Sequence, residues 1–192
     1  NNDNGIKALT LVKDLVDAGS MSKEVINWTQ GDVMNQFISG NIAMMVNGPW
    51  QVPTMREQAP DLNWDVTLLP KDAEYASCLG GENFGVIDGD NVDAALDFLQ
   101  FATSKDEVAS YIDDFGYIAA RKDVAEGQFT DDETMQKFTE EMQYAQPRGP
   151  HAQWPEISDA LSLAVNESIT GTSTPADAAA KAQSTIDGIL AE

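Results

Sequence analysis

The chain has 192 residues, 42% hydrophobic and 22% charged, a composition that supports a packed core in one domain or two small lobes. Eleven Lys and Arg against 32 Asp and Glu give a formal net charge of −21; that surface repels phosphate backbones and anionic lipid heads and excludes nucleic acid as a partner. No apolar run approaches the roughly 18 residues of a membrane span and no signal-peptide pattern opens the chain, so Asn1 is expected to begin a mature protein, an expression product or a fragment.

Asn4 or Asp3 is expected to cap a first helix, in which Ile6, Leu9, Val12, Leu15 and Val16 recur at helical spacing until Gly19 stops it. Ser20–Gln30 reads as a loop carrying Trp28, and Asp32–Ser39 as a short helix with Val33, Met34, Phe37 and Ile38 on one stripe, ended by Gly40. Ile42–Val46 are five consecutive apolar residues, short enough for a buried strand and too short for a helix. Asn47-Gly48-Pro49 then breaks regular structure, because glycine frees the backbone while proline fixes φ and removes a donor. Trp50 therefore leaves the end of a strand on a tight turn. In open α/β sheets ligands collect in the crevice at the carboxyl ends of the strands, which makes this ring a candidate ligand platform.

Pro53–Gln58 is expected to form one or two helical turns, and Trp64–Leu69 a strand ended by Pro70. Lys71–Leu79 reads as an exposed irregular loop, and Gly80-Gly81 as a turn or a close backbone approach. Phe84–Ile87 reads as a short apolar strand and Asp88–Asn91 as a turn and cap. Val92–Thr103 has Val92, Ala95, Leu96, Leu99 and Ala102 on one helical stripe. Lys105–Asp113 continues as a helix that stops before Gly116, Tyr117–Ala120 is extended, and Asp131–Ala145 is a long helix with Met135, Phe138 and Met142 filling the core. The breaker-rich Pro147–Pro155 reads as a crossover. Helix Glu156–Ile169 follows, capped by Gly171, and Thr174-Pro175 opens a last helix to Leu190 as an N-cap and N1 proline.

The segment NQFISGNIAMMVNGPW, Asn35–Trp50, resembles the helix–Gly–strand–turn segment of the maltose-binding-like sugar receptors of ABC importers, extracellular solute-binding family 1. The family pattern runs roughly F-x-x-G-x-x-A-M-x-x-x-G-x-W, and Phe37, Gly40, Ala43, Met44, Gly48 and Trp50 fill it without a gap. A helix of the type K-A-x-x-x-x-x-D-L-x-x-x-G precedes it at Lys7–Gly19, a V-x-x-L-P strand end follows at Val66–Pro70, and the last two helices resemble the family's C-terminus.

The resemblance implies an α/β fold of the periplasmic-binding-protein-like (type 2) class, with this chain as the C-terminal half of a two-lobed receptor. On that map 1–79 belong to the C-terminal lobe, 80–146 return to the N-terminal lobe, and 147–192 close the C-terminal lobe. Phe84–Ile87 would then be a strand whose sheet neighbours lie upstream, so the chain is expected to be a truncation or proteolytic remnant, or to form a segment-swapped dimer. The implied function is carbohydrate binding and delivery to ABC permease membrane subunits, by an extracellular or periplasmic lipoprotein anchored to the membrane in its full-length form. The alternative is a non-catalytic peptide- or protein-interaction module on the same fold.

The resemblance also implies the site. Trp50 would stack on a sugar ring, whose C–H-rich face suits the partial negative charge of an aromatic face; the bland reading is a core Trp. Trp28 sits where the family's maltose-binding members have an aromatic lining the cleft. Gly81, Glu82 and Asn83 lie at the second crossover, where the acid and amide could take sugar hydroxyls or the glycines simply hinge. Trp154, His151 and Arg148 lie on the third crossover, His151 being by default an exposed loop residue. The family's further aromatic pair on the helix matching Glu156–Ile169 is replaced here by Asp159-Ala160-Leu161, which speaks against maltodextrin.

Catalytic readings find little support. The acid clusters Asp113-Asp114, Asp131-Asp132-Glu133 and Glu140-Glu141 read as solvated helix ends and faces. A glycosidase needs a carboxylate pair about 5–10 Å apart with one raised pKa, and no acid pair sits in a recognisable motif. One His and no G-x-S-x-G argue against a Ser-His-Asp hydrolase. The run from Asp88 fails as a calcium loop at its sixth (Asp93) and twelfth (Leu99) positions. Cys78 is alone, which leaves no internal disulfide and too few ligands for zinc; a buried or loop thiol is expected. No enzyme activity, cofactor or metal is expected.

Overall fold

The structure, a computed structural model, describes residues 2–191. In chain order the helices are α1 (Asp3–Asp17), α2 (Gln30–Ile38) and α3 (Val52–Gln58), followed by strand β1 (Ser77–Leu79). Then come α4 (Val92–Ala102), α5 (Lys105–Tyr111), α6 (Lys122–Ala125) and α7 (Glu133–Glu141), strand β2 (Ala145–Pro147), α8 (Trp154–Thr170) and α9 (Pro175–Leu190). The chain divides into two compact units: the residues up to Thr29 with those from Gly149 onward, and Gln30–Arg148.

The first unit is helical. Asn2, rather than Asp3 or Asn4, caps α1 by accepting the Gly5 N–H at 2.9 Å. Thr174 caps α9 by accepting the Asp177 N–H at 3.1 Å, with Pro175 in the first turn, where its missing donor costs nothing. Helices α1, α8 and α9 pack together where Leu9 of α1 sits against Ala164, Ala178 and Ala182, alanines whose small side chains let helix axes approach closely. Ser168 is fully buried in α8 and satisfies its hydroxyl by donating to the Ala164 carbonyl one turn back, at 2.7 Å.

The second unit holds the strands. β1 and β2 run parallel, Ser77 opposite Ala145 and Leu79 opposite Pro147, and they form one two-stranded sheet. At the start of that sheet the Tyr75 and Tyr144 rings pack at 4.9 Å, with the Lys71 ammonium 4.5 Å from the Tyr75 centroid. The exposed loop expected over Lys71–Leu79 therefore ends in a strand, and Cys78 is an exposed thiol on that strand, not a buried or loop one. The long helix expected over Asp131–Ala145 stops at Glu141, passes through a 3-10 turn over Met142–Tyr144, and gives its last residue to β2. Met135 is buried as expected of a core residue, whereas Met142 is exposed.

Three expected strands do not form. Ile42–Val46, Trp64–Leu69 and Phe84–Ile87 have no ladder partner among the described residues. Met44 is 85% exposed and Ile87 92%, so neither segment is the buried strand its composition suggested. Leu69 gives its N–H instead to a Glu141 carboxylate oxygen at 3.2 Å. The physical reason is shared: an apolar strand is stable only where flanking strands take its N–H and C=O groups and another layer covers its faces. Helix α4 forms as expected but has no buried residue, and Leu96, Phe98 and Phe101 stand exposed. The protein is thus helix-rich, with little of the sheet an α/β reading requires.

A charge pair far apart in sequence joins α3 to the start of α7. Arg56 on α3 donates both guanidinium nitrogens to Asp132, at 2.7 and 2.8 Å. Asp132 also caps α7 by accepting the Met135 N–H at 3.1 Å. The Arg56 hydrogen bond, opposed by partial burial, holds the Asp132 carboxyl below its ordinary value. Replacing Asp132 by Ala removes both pair and cap and is expected to cost about 1–2 kcal/mol in urea unfolding. Asp132→Asn keeps a capping oxygen and should cost less. Because the folded carboxyl is depressed, its stabilisation is present above the ordinary aspartate value of 3.8 and lost as pH falls below it through the folded value. The gap between wild type and Asp132→Asn should close over that acid range.

Candidate functional site

The turn before α3 brings an aromatic ring onto bare backbone. Gly48 is buried and extended, with φ −110°, so glycine is required here for space rather than for a left-handed conformation. A Cβ on Gly48 would fall 2.2 Å from the tip of the Trp50 ring, which means the indole lies directly against the Gly48 main chain. Asn47 closes the turn from its side chain: its carbonyl oxygen accepts the Gly48 N–H at 3.0 Å, and its amide donates to the Gln30 carbonyl at 2.9 Å. Pro49 opens a 3-10 turn, Pro49–Gln51, that runs into α3.

The Trp50 indole N–H donates to Gln30 Oε1 at 3.0 Å. Gln30, the first residue of α2, thus receives one hydrogen bond from Asn47 and one from Trp50. The ring itself is half-buried. Tyr117 lies beside it, with ring centroids 6.0 Å apart and planes tilted by 33°, a separation at which aromatic pairs attract.

Tyr117 is held there by two devices. Gly116 has φ +66°, and a Cβ on it would come 2.8 Å from the Pro49 carbonyl and 2.9 Å from Pro53 Cδ, so this glycine is demanded by both conformation and approach. The Gln128 side chain then donates to the Tyr117 carbonyl at 3.1 Å and to Asp113 Oδ1 at 2.5 Å, and accepts the Ala119 N–H at 2.7 Å. The outcome is a pair of aromatic rings whose backbones are pinned from both sides. Such a surface can stack on the apolar face of a neutral ligand. No group of three or more His, Cys, Asp or Glu placed to hold a metal ion occurs among the described residues.

The other candidate residues fall in two places. Gly81, Glu82 and Asn83 follow β1 and are exposed; Arg148 follows β2 and is exposed. The parallel register puts the segments that follow β1 and β2 side by side, with Arg148 Nη2 3.8 Å from where a Gly80 Cβ would stand. In the helical unit, Trp28 ends the 3-10 turn Lys23–Asn27, which packs against α8, and is half-buried. Trp154 is the first residue of α8 and donates its N–H to the carbonyl of His151 at 3.1 Å. His151 is exposed, and its Nδ1 accepts the Gln153 N–H at 3.2 Å.

Reading the sequence missed Gln30 and Tyr117. The signal for Tyr117 was a glycine followed at once by an aromatic after a helix end, but its partner lies 67 positions upstream (117 − 50). Nothing in the sequence pairs them.

A family profile described as "Bacterial extracellular solute-binding protein" matches residues 1–139. Among curated proteins, a candidate binding protein of Brucella abortus (strain 2308) is 28% identical over 185 residues, covering 92% of this chain and 45% of its own length. A candidate binding protein of Brucella suis biovar 1 (strain 1330) matches to the same extent. The chain spans about half the length of the curated relatives it matches.

The close approach at Gly48 has a direct consequence. Gly48→Ala must push the indole off its seat, and is expected to cost about 1–3 kcal/mol in urea unfolding and to change the near-ultraviolet circular dichroism of the tryptophans. Gly116→Ala, strained in both φ and contact, should cost about 2 kcal/mol or more.

Proposed function

We propose that this chain, which belongs to the bacterial extracellular solute-binding proteins, is part of a receptor that binds a carbohydrate on Trp50 and delivers it to the membrane subunits of an ABC importer. Family membership points to a periplasmic-binding-protein-like fold and to an extracellular or periplasmic location. The observation that carries the carbohydrate reading is the Trp50 turn. Its indole rests on Gly48, keeps part of its surface open, and has its one polar group already satisfied by Gln30. A ring so prepared offers an apolar face without the cost of an unpaired N–H, which suits the C–H face of a pyranose.

Glu82, Asn83 and Arg148 are assigned as hydroxyl partners, supported by their exposure at the end of the two-stranded sheet and by the closeness of the segments that follow β1 and β2. Gly81 leaves that backbone open to approach. Trp28, His151 and Trp154 are assigned as ligand contacts on the family resemblance alone. In the full-length receptor, 1–79 and 147–192 are assigned to one lobe and 80–146 to the other. The exposed, unpaired Phe84–Ile87 and the bare α4 support sheet neighbours supplied elsewhere in a longer polypeptide, while the division between lobes rests on the family resemblance, since 30–148 form one compact unit here. Sugar bound to both lobes would bias the receptor toward closure, because only the closed state makes both sets of contacts. The full-length form is assigned as a membrane-anchored lipoprotein, and the role as binding rather than catalysis.

A second reading, a peptide- or protein-interaction module, draws on the same exposed side chains, Phe84, Ile87, Phe98 and Phe101. A thermal-shift panel of mono- and oligosaccharides against peptides, run on the full-length polypeptide, separates the two. Saccharide shifts with Trp50→Ala weakening the best sugar about tenfold or more in calorimetry support the receptor; shifts by peptides alone overturn it. The 192 residues expressed on their own should bind that sugar weakly or not at all, and tight binding would refute the division between lobes.

A further inference from the structure

Resting on the carbohydrate reading of Trp50, we propose that Tyr117 is a second ligand contact of the same site, its phenol hydroxyl exchanging a hydrogen bond with a hydroxyl of the sugar stacked on the indole. The starting point is what Trp50 lacks. Its only polar group, the indole N–H, is spent on Gln30 at 3.0 Å, so the ring gives a sugar an apolar face and no donor or acceptor. A stacking face alone holds pyranoses with little regard to which hydroxyl points where. Orientation needs a polar group fixed next to the ring.

Tyr117 supplies one. Its ring centroid is 6.0 Å from that of Trp50, it is half-buried, and its hydroxyl takes no hydrogen bond among the described residues. Tyr111, on α5 in the same unit, contrasts with it by donating its hydroxyl to the Ala102 carbonyl at 3.4 Å. If Tyr117 were there only to pack on the indole, phenylalanine would serve as well.

The way Tyr117 is held points the same way. Gly116 adopts a left-handed conformation and presses on Pro49 and Pro53, which ties the Tyr117 loop to the Trp50 turn itself. Gln128 adds hydrogen bonds to the Tyr117 carbonyl and the Ala119 N–H. The Tyr117 backbone is thus fixed by its own loop, and a contact with so little freedom to lose costs little to order on binding. Trp50 and Tyr117 then divide the work: the indole takes the C–H face, and the phenol reads a hydroxyl at its edge.

The test uses the full-length polypeptide and the saccharide that gives the largest shift in the panel above, with affinities from calorimetry. Tyr117→Phe keeps the ring and its packing, and should weaken binding about fivefold, the loss of one net hydrogen bond, while leaving the melting temperature unchanged. Tyr117→Ala should weaken it further. Wild-type affinity in Tyr117→Phe overturns the inference whatever Tyr117→Ala does, and leaves the role of Trp50 standing if Trp50→Ala still weakens binding about tenfold or more. A wild-type protein that binds none of the saccharides overturns both readings together.

Discussion

Much of the second unit is organised by two places where side chains are missing. The indole of Trp50 can lie against the main chain only because Gly48 has no Cβ, and the Tyr117 loop can close on Pro49 and Pro53 only because Gly116 has none. The two glycines serve one purpose by different physics. At Gly48 the backbone is ordinary and the demand is for space, whereas at Gly116 a left-handed φ adds to the demand. Together they turn two remote stretches of chain into one aromatic surface.

That surface is backed by polar groups which are nearly all satisfied. Gln30 accepts from Trp50 and from Asn47, Gln128 both donates and accepts, and Arg56 of α3 meets Asp132 in a two-bond pair. Amide side chains suit this work because each offers a donor and an acceptor without a charge to desolvate. One buried oxygen stands out: Glu141 Oε1 has no hydrogen-bond partner among the described residues, while the other carboxylate oxygen accepts the Leu69 N–H.

A different economy governs the segments that carry no ladder. Met44, Val46, Phe84 and Ile87 are exposed where their composition suits burial, and α4 shows apolar side chains to solvent along its length. The matched relatives are about twice the length of this chain, and a longer polypeptide has the backbone with which such segments can pair. The helical unit has no comparable exposure of backbone need, because each helix satisfies its own main chain and asks its neighbours only for apolar contact.

The same distinction separates what could be read from the sequence from what could not. Helical periodicity, caps and breakers are local, and they located most helices within a few residues: α3, α4, α8 and α9 lie close to where Pro53, Val92, Gly171 and Thr174-Pro175 put them. The run around Trp50 was legible as a turn carrying an aromatic, and the family was legible from six residues between Phe37 and Trp50. Strands depend on partners elsewhere, so the apolar runs at Ile42 and Phe84 named strands that the chain does not form, while Ser77–Leu79 and Ala145–Pro147, with little strand signal of their own, found each other. The indole's hydrogen bond to Gln30 and its neighbour Tyr117 were decided by tertiary structure alone, since contacts 20 (50 − 30) and 67 (117 − 50) positions apart leave no periodic trace along a single sequence.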